Sequence, residues 1–238
     1  MEILAKVKIK AGQEITNQYH KPDKAAFIRR QTMKEKWFFD CSCPRCMDPT
    51  ELGSHYSSLL CPKIRCGGVV VSLEPACNTA DWACQLCGDV LSFNSVKNII
   101  ERSEYAIDNP VSLDGPVEHC ERVLHSLSTT LHPGNFLLLE LKQKLAMMYG
   151  NMMPYTLDKM SSPARERKVQ LCHDVISSLS KLEAGLSTWH IAMLTELAKM
   201  SDPHLSKNND PGGKKGMMAR FLFMDRVLTG VTCLNLLE

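Results

Sequence analysis

Residues 61–88 open with Cys61-Pro-Lys-Ile-Arg-Cys66-Gly-Gly-Val-Val-Val-Ser72 and close with Asp81-Trp-Ala-Cys84-Gln-Leu-Cys87-Gly88. Two short-spaced cysteine pairs, Cys61-x4-Cys66 and Cys84-x2-Cys87, are separated by 17 residues. A glycine follows each pair and lets the backbone turn sharply there. Pairs on tight turns can place four thiolates tetrahedrally at about 2.3 Å from one zinc ion. The apolar run Gly68 to Leu73 between them has the composition of a strand. Spacing, glycines and strand together predict a zinc ribbon. Protein sulfurs fill all four corners and leave none for water, so the predicted site is structural. Cys77, between the pairs, is not predicted to be a ligand.

Upstream, Cys41-x-Cys43-x2-Cys46 offers three thiolates in six residues. Three sulfurs do not complete a tetrahedral site. The fourth ligand is expected from Cys77, from a histidine such as His55, or from a segment outside this chain. Eight of the eleven cysteines lie between Cys41 and Cys87. Lys6, Lys8 and Lys10 break the apolar stretch that a secretory signal would need. Clustered thiols in a reducing compartment read as metal ligands before disulfides. Cys120, Cys172 and Cys233 stand alone and read as small core residues.

The 238 residues are 44% hydrophobic and 23% charged, a globular composition. A net charge of +2 gives no strong field toward nucleic acid or membrane, and neither is expected as a partner. No apolar run approaches the roughly 20 residues of a bilayer span. The expected location is the cytoplasm, with the nucleus open. Residues 4–10 alternate like a half-buried strand, and Glu14 to Tyr19 predicts a second. Pro22 to Lys36 is helix-permissive, and its lysines and arginines read as a solvated face. Trp37-Phe38-Phe39 forms an apolar clamp before Cys41.

After about residue 92 the period becomes helical. Val117, Cys120, Leu124 and Leu127 share one face, as do Leu138, Leu141, Leu145 and Met148, and again Cys172, Val175, Ile176 and Leu179. Val96–Ile107, Trp189–Met200 and Phe221–Leu236 are further candidates, and Lys207 to Gly216 reads as a linker. About six helices stacking in pairs complete an α+β chain: a small β part, a zinc-bound cysteine segment and an all-α array. No phosphate loop, dinucleotide fingerprint, zincin motif or nucleophile elbow is present. The histidines are isolated and read as surface or internally satisfied.

Gly12-Gln-Glu-Ile-Thr-Asn-Gln-Tyr19 followed by Trp37-Phe-Phe-Asp-Cys-Ser-Cys-Pro-Arg-Cys46 resembles the end of a SET domain and its post-SET motif. The version is that of the SET and MYND domain (SMYD) lysine methyltransferases, especially their arthropod branch. Asp48 to Gly53, Cys61-Pro, Cys66-Gly-Gly and Asp81 to Gly88 are similar to that branch's zinc-ribbon insertion. His132-Pro-Gly-Asn-Phe-Leu-Leu-Leu139, Leu145 to Gly150 and Lys168 to Cys172 resemble its helical, TPR-like region. The implied organisation is the last SET strands at 1–19, the post-SET segment at 20–50, the ribbon at 51–91 and the helical array at 92–238. The family's N-terminal SET half, its MYND finger and its Asn-His-Ser-Cys segment have no counterpart. The chain is therefore expected to be a C-terminal half, with Met1 falling where the family enters its last SET strands.

The resemblance implies roles. Tyr19 matches the tyrosine that orients the acceptor lysine and the methyl donor, S-adenosylmethionine. Trp37 and Phe39 match aromatic positions near the adenine and the lysine channel; a hydrophobic lid over the post-SET zinc is the other reading of Trp37. Cys41, Cys43 and Cys46 match post-SET zinc ligands, beside Cys61, Cys66, Cys84 and Cys87 in the ribbon. Two functions are held together. One is the C-terminal part of a protein-lysine methyltransferase, inactive as this chain alone because donor and acceptor cannot be positioned. The other is a non-catalytic zinc and helical scaffold that binds a protein partner. The ribbon is expected to unfold by itself when Cys84 is lost, leaving the helices intact.

Overall fold

Two helices, a small antiparallel sheet and five further helices follow one another in the computed structural model, which describes residues 8–15, 17–20, 22–109, 115–182 and 187–201. Helix α1 (Ala26–Trp37) ends at Phe38, whose left-handed φ of 57° stops it, and a single turn α2 (Pro44–Met47) follows. Strands β1 (Leu59–Leu60), β2 (Val69–Ser72), β3 (Trp82–Cys84) and β4 (Val90–Leu91) form one antiparallel sheet in sequence order. Val70 faces both Leu59 and Cys84 across the ladder, and Ala83 faces Val90.

Helices α3 (Phe93–Asp108), α4 (Pro116–Leu127), α5 (Phe136–Met148), α6 (Ser162–Leu182) and α7 (Thr188–Ser201) then stack, with α5 packed on α4, α6 and α7. Three of these starts have a clear local cause. Ser92 caps α3 by accepting from the Ser95 N–H, and Pro116 opens α4 where no N–H is needed. Asn135 caps α5 by accepting from the Leu137 N–H, while its Nδ2 donates to the Ser58 carbonyl (3.0 Å). That one side chain joins the helical array to the segment leading into the ribbon.

Other bonds cross the same junction. The Leu60 N–H donates to the Thr130 carbonyl (2.8 Å), the Phe136 N–H to that of Tyr56 (2.8 Å), and Leu59 bridges Leu131. Beneath them runs one apolar core containing Leu59, Val70, Trp82 and Cys84 together with Leu131, Phe136, Leu141 and Leu171. Ribbon and array thus share their interior. Cys120 and Cys172 lie buried in it.

The predicted strands at the front are not formed among the described residues: 8–10, 14–15 and 17–19 have no strand and are exposed. A strand needs a ladder partner, and no described segment pairs with them. The solvated-face reading of α1 also fails in part, because Arg29 and Arg30 are buried. His119 is buried rather than at the surface, and its Nε2 meets no hydrogen-bond partner. Residues 1–7, the linker at 207–216, the helix at 221–236 and Cys233 lie outside the described residues. No helix of the described part is long and apolar enough to cross a membrane.

Within the array Lys168 is fully buried; its Nζ donates to Glu196 Oε2 (2.6 Å) and to the Ala146 and Tyr149 carbonyls. Glu196 also accepts from Lys199 (2.6 Å). The cluster ties α6 to α7 and to the end of α5.

The junction carries a pH-sensitive pair. His132 and His55 face each other with ring centroids 4.5 Å apart, and His132 Nδ1 accepts from the Gly134 N–H (3.0 Å). Desolvation, His55 and Lys181 push His132 from 6.5 down to about 4. The unfolded chain therefore takes up a proton between these values that the folded one refuses. Stability is fully retained above pH 6.5 and falls as the pH drops toward 4. Thermal melts from pH 7 to pH 4 should show this loss, and His132→Gln should flatten it; an equal slope in the variant would contradict the assignment.

Candidate metal centres

The β-ladder draws the four ribbon cysteines together. Cys84 ends β3, Cys61 follows β1, and Cys66 and Cys87 sit in the two turns. Their sulfurs all lie within 4.8 Å of one another; Cys61 to Cys87 and Cys66 to Cys84 are each 3.7 Å. Sulfurs bound at about 2.3 Å around one tetrahedral zinc stand about 3.8 Å apart, so the observed spacing fits that ion. The backbone N–H groups of Cys87 and Leu86 hold the Cys84 thiol down to about 6, with Leu86 N at 3.4 Å from its sulfur. Desolvation pushes Cys61 up to about 12, helped by the neighbouring sulfurs. Thiols crowded this closely resist ionising together, a repulsion a bound dication relieves.

Gly68 makes the packing possible. A Cβ there would lie 2.4 Å from the Cys84 sulfur and 2.7 Å from Leu86 Cβ. Gly68→Ala must therefore displace a thiolate or the turn behind it. Zinc affinity, measured by competition with a chromogenic chelator, should fall about 10–100-fold; unchanged affinity would remove the cradle from the account.

The second group is Cys41, Cys43 and Cys46, whose sulfurs are likewise mutually within 4.8 Å. Of the three expected completions, the two within the described residues do not join them. Cys77 is spent on the Thr79 hydroxyl (3.4 Å), and His55 Nδ1 meets the Ser58 hydroxyl (3.2 Å). Among the described residues the group therefore offers three corners of a tetrahedron. Cys46 is buried at the start of a charge network, with Arg29 Nη2 donating to its sulfur (3.6 Å). Burial raises this thiol to about 12 against the pull of Arg29. On Cys43, burial works the same way, but N–H groups around the turn outweigh it and hold the thiol below its usual range.

The network centres on Glu51, only 1% exposed and held at a left-handed φ of 50°. Its Oε2 accepts from Arg29 Nη1 (2.7 Å) and Arg45 Nε (2.9 Å); its Oε1 accepts from the Ala26 N–H (3.1 Å) and the Ser57 hydroxyl. One carboxylate thus joins α1, α2 and the approach to β1. Sequence reasoning missed it, because an Arg–Arg pair and a lone Glu look like ordinary surface charges. The signal was the neighbouring Asp48, whose carboxylate accepts from the Thr50 and Leu52 N–H groups (2.8 Å each) and folds the loop back.

Just ahead of Cys41 in the chain, Trp37 and Phe39 meet Tyr19 edge-on, with centroids 5.5 Å and 5.1 Å from its ring. The three aromatics singled out from the sequence thus form one cluster. Tyr19 is 49% and Trp37 54% exposed, which leaves ring surface open for a ligand or a further protein layer.

Fold and site together define a class: a chain with two cysteine groups that could hold zinc, joined to a helical array through a shared core. No protein-family model matches the chain. It is 28% identical over 189 residues to the SET domain-containing protein SmydA-8, isoform B, of Drosophila melanogaster, covering 78% of this chain and 41% of that protein. Isoform A gives 28% over 183 residues, 76% of this chain and 38% of the relative. A SET and MYND domain-containing protein of Dictyostelium discoideum is 31% identical over 105 residues, 37% of this chain and 25% of its own length. The similarity runs over much of the chain and supports a SMYD-like family. The chain spans about two fifths of the length of the Drosophila relatives.

Proposed function

We propose that this chain is the C-terminal part of a SET-domain protein-lysine N-methyltransferase of SMYD type, acting on a protein substrate in the cytoplasm or nucleus. The observation that carries it is the aromatic cluster of Tyr19, Trp37 and Phe39, the last two directly preceding a three-thiolate group in the chain, in a chain similar over most of its length to SET-domain proteins. S-adenosylmethionine, when bound, supplies an electrophilic methyl group. The Tyr19 hydroxyl suits the acceptor side: it can accept a hydrogen bond from a lysine amine and hold its lone pair in line. The faces of Trp37 and Phe39 can stack on an adenine or shelter a methylammonium cation. Zinc on Cys41, Cys43 and Cys46 would fix the backbone that follows Phe39, and the ribbon would brace it from the other side.

Positioning of donor and acceptor can lower a barrier by about 7–11 kcal/mol and needs more than one tyrosine and two rings. The proposal therefore expects no methyl transfer from these 238 residues alone, and transfer once they stand within a protein of the relatives' length. In such a protein Tyr19→Phe should slow methylation of lysine peptides about 10²-fold or more, with S-adenosylmethionine binding changed only a few fold. An unchanged rate would contradict the assignment, as would turnover by the isolated chain.

A further inference from the structure

Between α1, the loop after it, the β2–β3 loop and the start of α3 lies an open cavity of about 880 Å³. That size suits a small ligand or a short peptide segment. Its charge is unusual because the two adjacent arginines of α1 are treated differently. Arg29 is neutralised by buried Glu51. Arg30, 3% exposed, donates instead to three neutral oxygens, those of the Asn78 side chain and the Cys41 and Ala76 carbonyls. Its carboxylate partner is Asp40, 3.8 Å away and more than half exposed. A buried guanidinium held by neutral dipoles projects positive potential into the space it lines.

Two lysines add to it. Lys34 and Lys97 line the cavity with side chains 66% and 57% exposed. Lys34 meets Asp40 (3.4 Å) and Lys97 meets Glu101 (3.7 Å), solvent-facing pairs worth little and readily exchanged for another carboxylate. Phe27 and Phe93, edge-to-face at 6.3 Å, and Met47 give the same cavity apolar wall. Three cations against one lining carboxylate, beside aromatic surface, match one chemistry.

We propose that this cavity docks an acidic peptide segment, its carboxylates on Lys34 and Lys97 within the field of buried Arg30 and an aliphatic or aromatic side chain against Phe27, Met47 and Phe93. A duplex nucleic acid does not fit a recess of this size, and the chain's net charge of +2 gives it little general pull on polyanions. Tyr19, Trp37 and Phe39 do not line the cavity, although Cys41 of the three-cysteine group does, and the docking does not depend on methyl transfer.

The test uses the full, zinc-loaded chain and a fluorescein-labelled Asp-Glu-Leu-Phe-Asp-Glu peptide. Fluorescence anisotropy should report a Kd on the order of 10–100 μM. Lys34→Glu with Lys97→Glu should weaken binding by about tenfold or more, with zinc content and helical signal unchanged. Phe93→Ala should weaken it as well. Cys77 lines the cavity, so bound peptide should slow its alkylation by iodoacetamide, followed by peptide mapping. Absence of binding at about 1 mM peptide would overturn the proposal. Affinity untouched by the double reversal would do so too, as would equal binding of a single-stranded RNA hexamer or of the Lys-Arg counterpart peptide.

Discussion

Replacing Cys84 by serine should release one zinc ion and melt the ribbon and the helical array together, in a single transition. The thiolate is one of four sulfurs placed for one tetrahedral ion, and it also closes the β3 end of the ladder. A structural zinc contributes on the order of 10 kcal/mol to folding, comparable with the whole stability of a typical domain, about 5–15 kcal/mol. Spacing alone suggests a ribbon that fails by itself. The structure argues otherwise, because Trp82 packs edge-on against Phe27 of α1 and Leu59 is paired to Leu131 in the loop before α5. Circular dichroism at the helical band and fluorescence of the buried Trp82 should therefore lose their cooperative transitions together. A helical melt left at its wild-type temperature after ribbon fluorescence has collapsed would show two independent units.

Glu51→Gln should be the most damaging change that touches no cysteine. The glutamine keeps the shape but leaves buried Arg29 and half-buried Arg45 without the carboxylate that both contact. Burial already works against the Arg29 charge, while Glu51 raises its pKa; Arg45 is held below its ordinary value by burial. Stranding a buried charge in this way costs about 3–5 kcal/mol. Urea titration should show that loss, and zinc at Cys41, Cys43 and Cys46 should exchange faster, because Arg29 also supports the Cys46 sulfur. Arg29→Met and Arg45→Met combined with Glu51→Met should recover part of the stability, since all three charges are removed together and no guanidinium is left without its carboxylate. A cost below about 1 kcal/mol, the range of a surface pair, would mean that solvent reaches the network.

The parts legible in the sequence are those encoded locally. The ribbon follows from cysteine spacing and glycines over fewer than thirty residues, and its central strand falls at Val69–Ser72 as composition suggests. The helices after residue 92 follow from apolar periodicity, which α3, α4, α5 and α7 keep to within a few residues, whereas α6 begins at Ser162, ten residues before the face read at Cys172. What could not be read depends on distant partners. Residues 14–19 have strand composition, but composition does not supply a neighbouring strand. Arg29, Glu51 and Arg45 look like three surface charges until folding brings them within 3 Å. Lys168 and Glu196 are hidden in the same way, 28 positions apart on different helices. The cysteine triplet is visible at once, whereas the fate of its fourth ligand depends on folding, which turns Cys77 to Thr79 and His55 to Ser58.

Native mass spectrometry of the zinc-supplied chain, before and after mild chelation, tests the central claim most directly. The account predicts one zinc that survives the chelator and disappears in Cys84→Ser, with a second, more labile zinc on the three-cysteine group. A folded chain that binds no zinc, or that keeps its resistant zinc without Cys84, would contradict it.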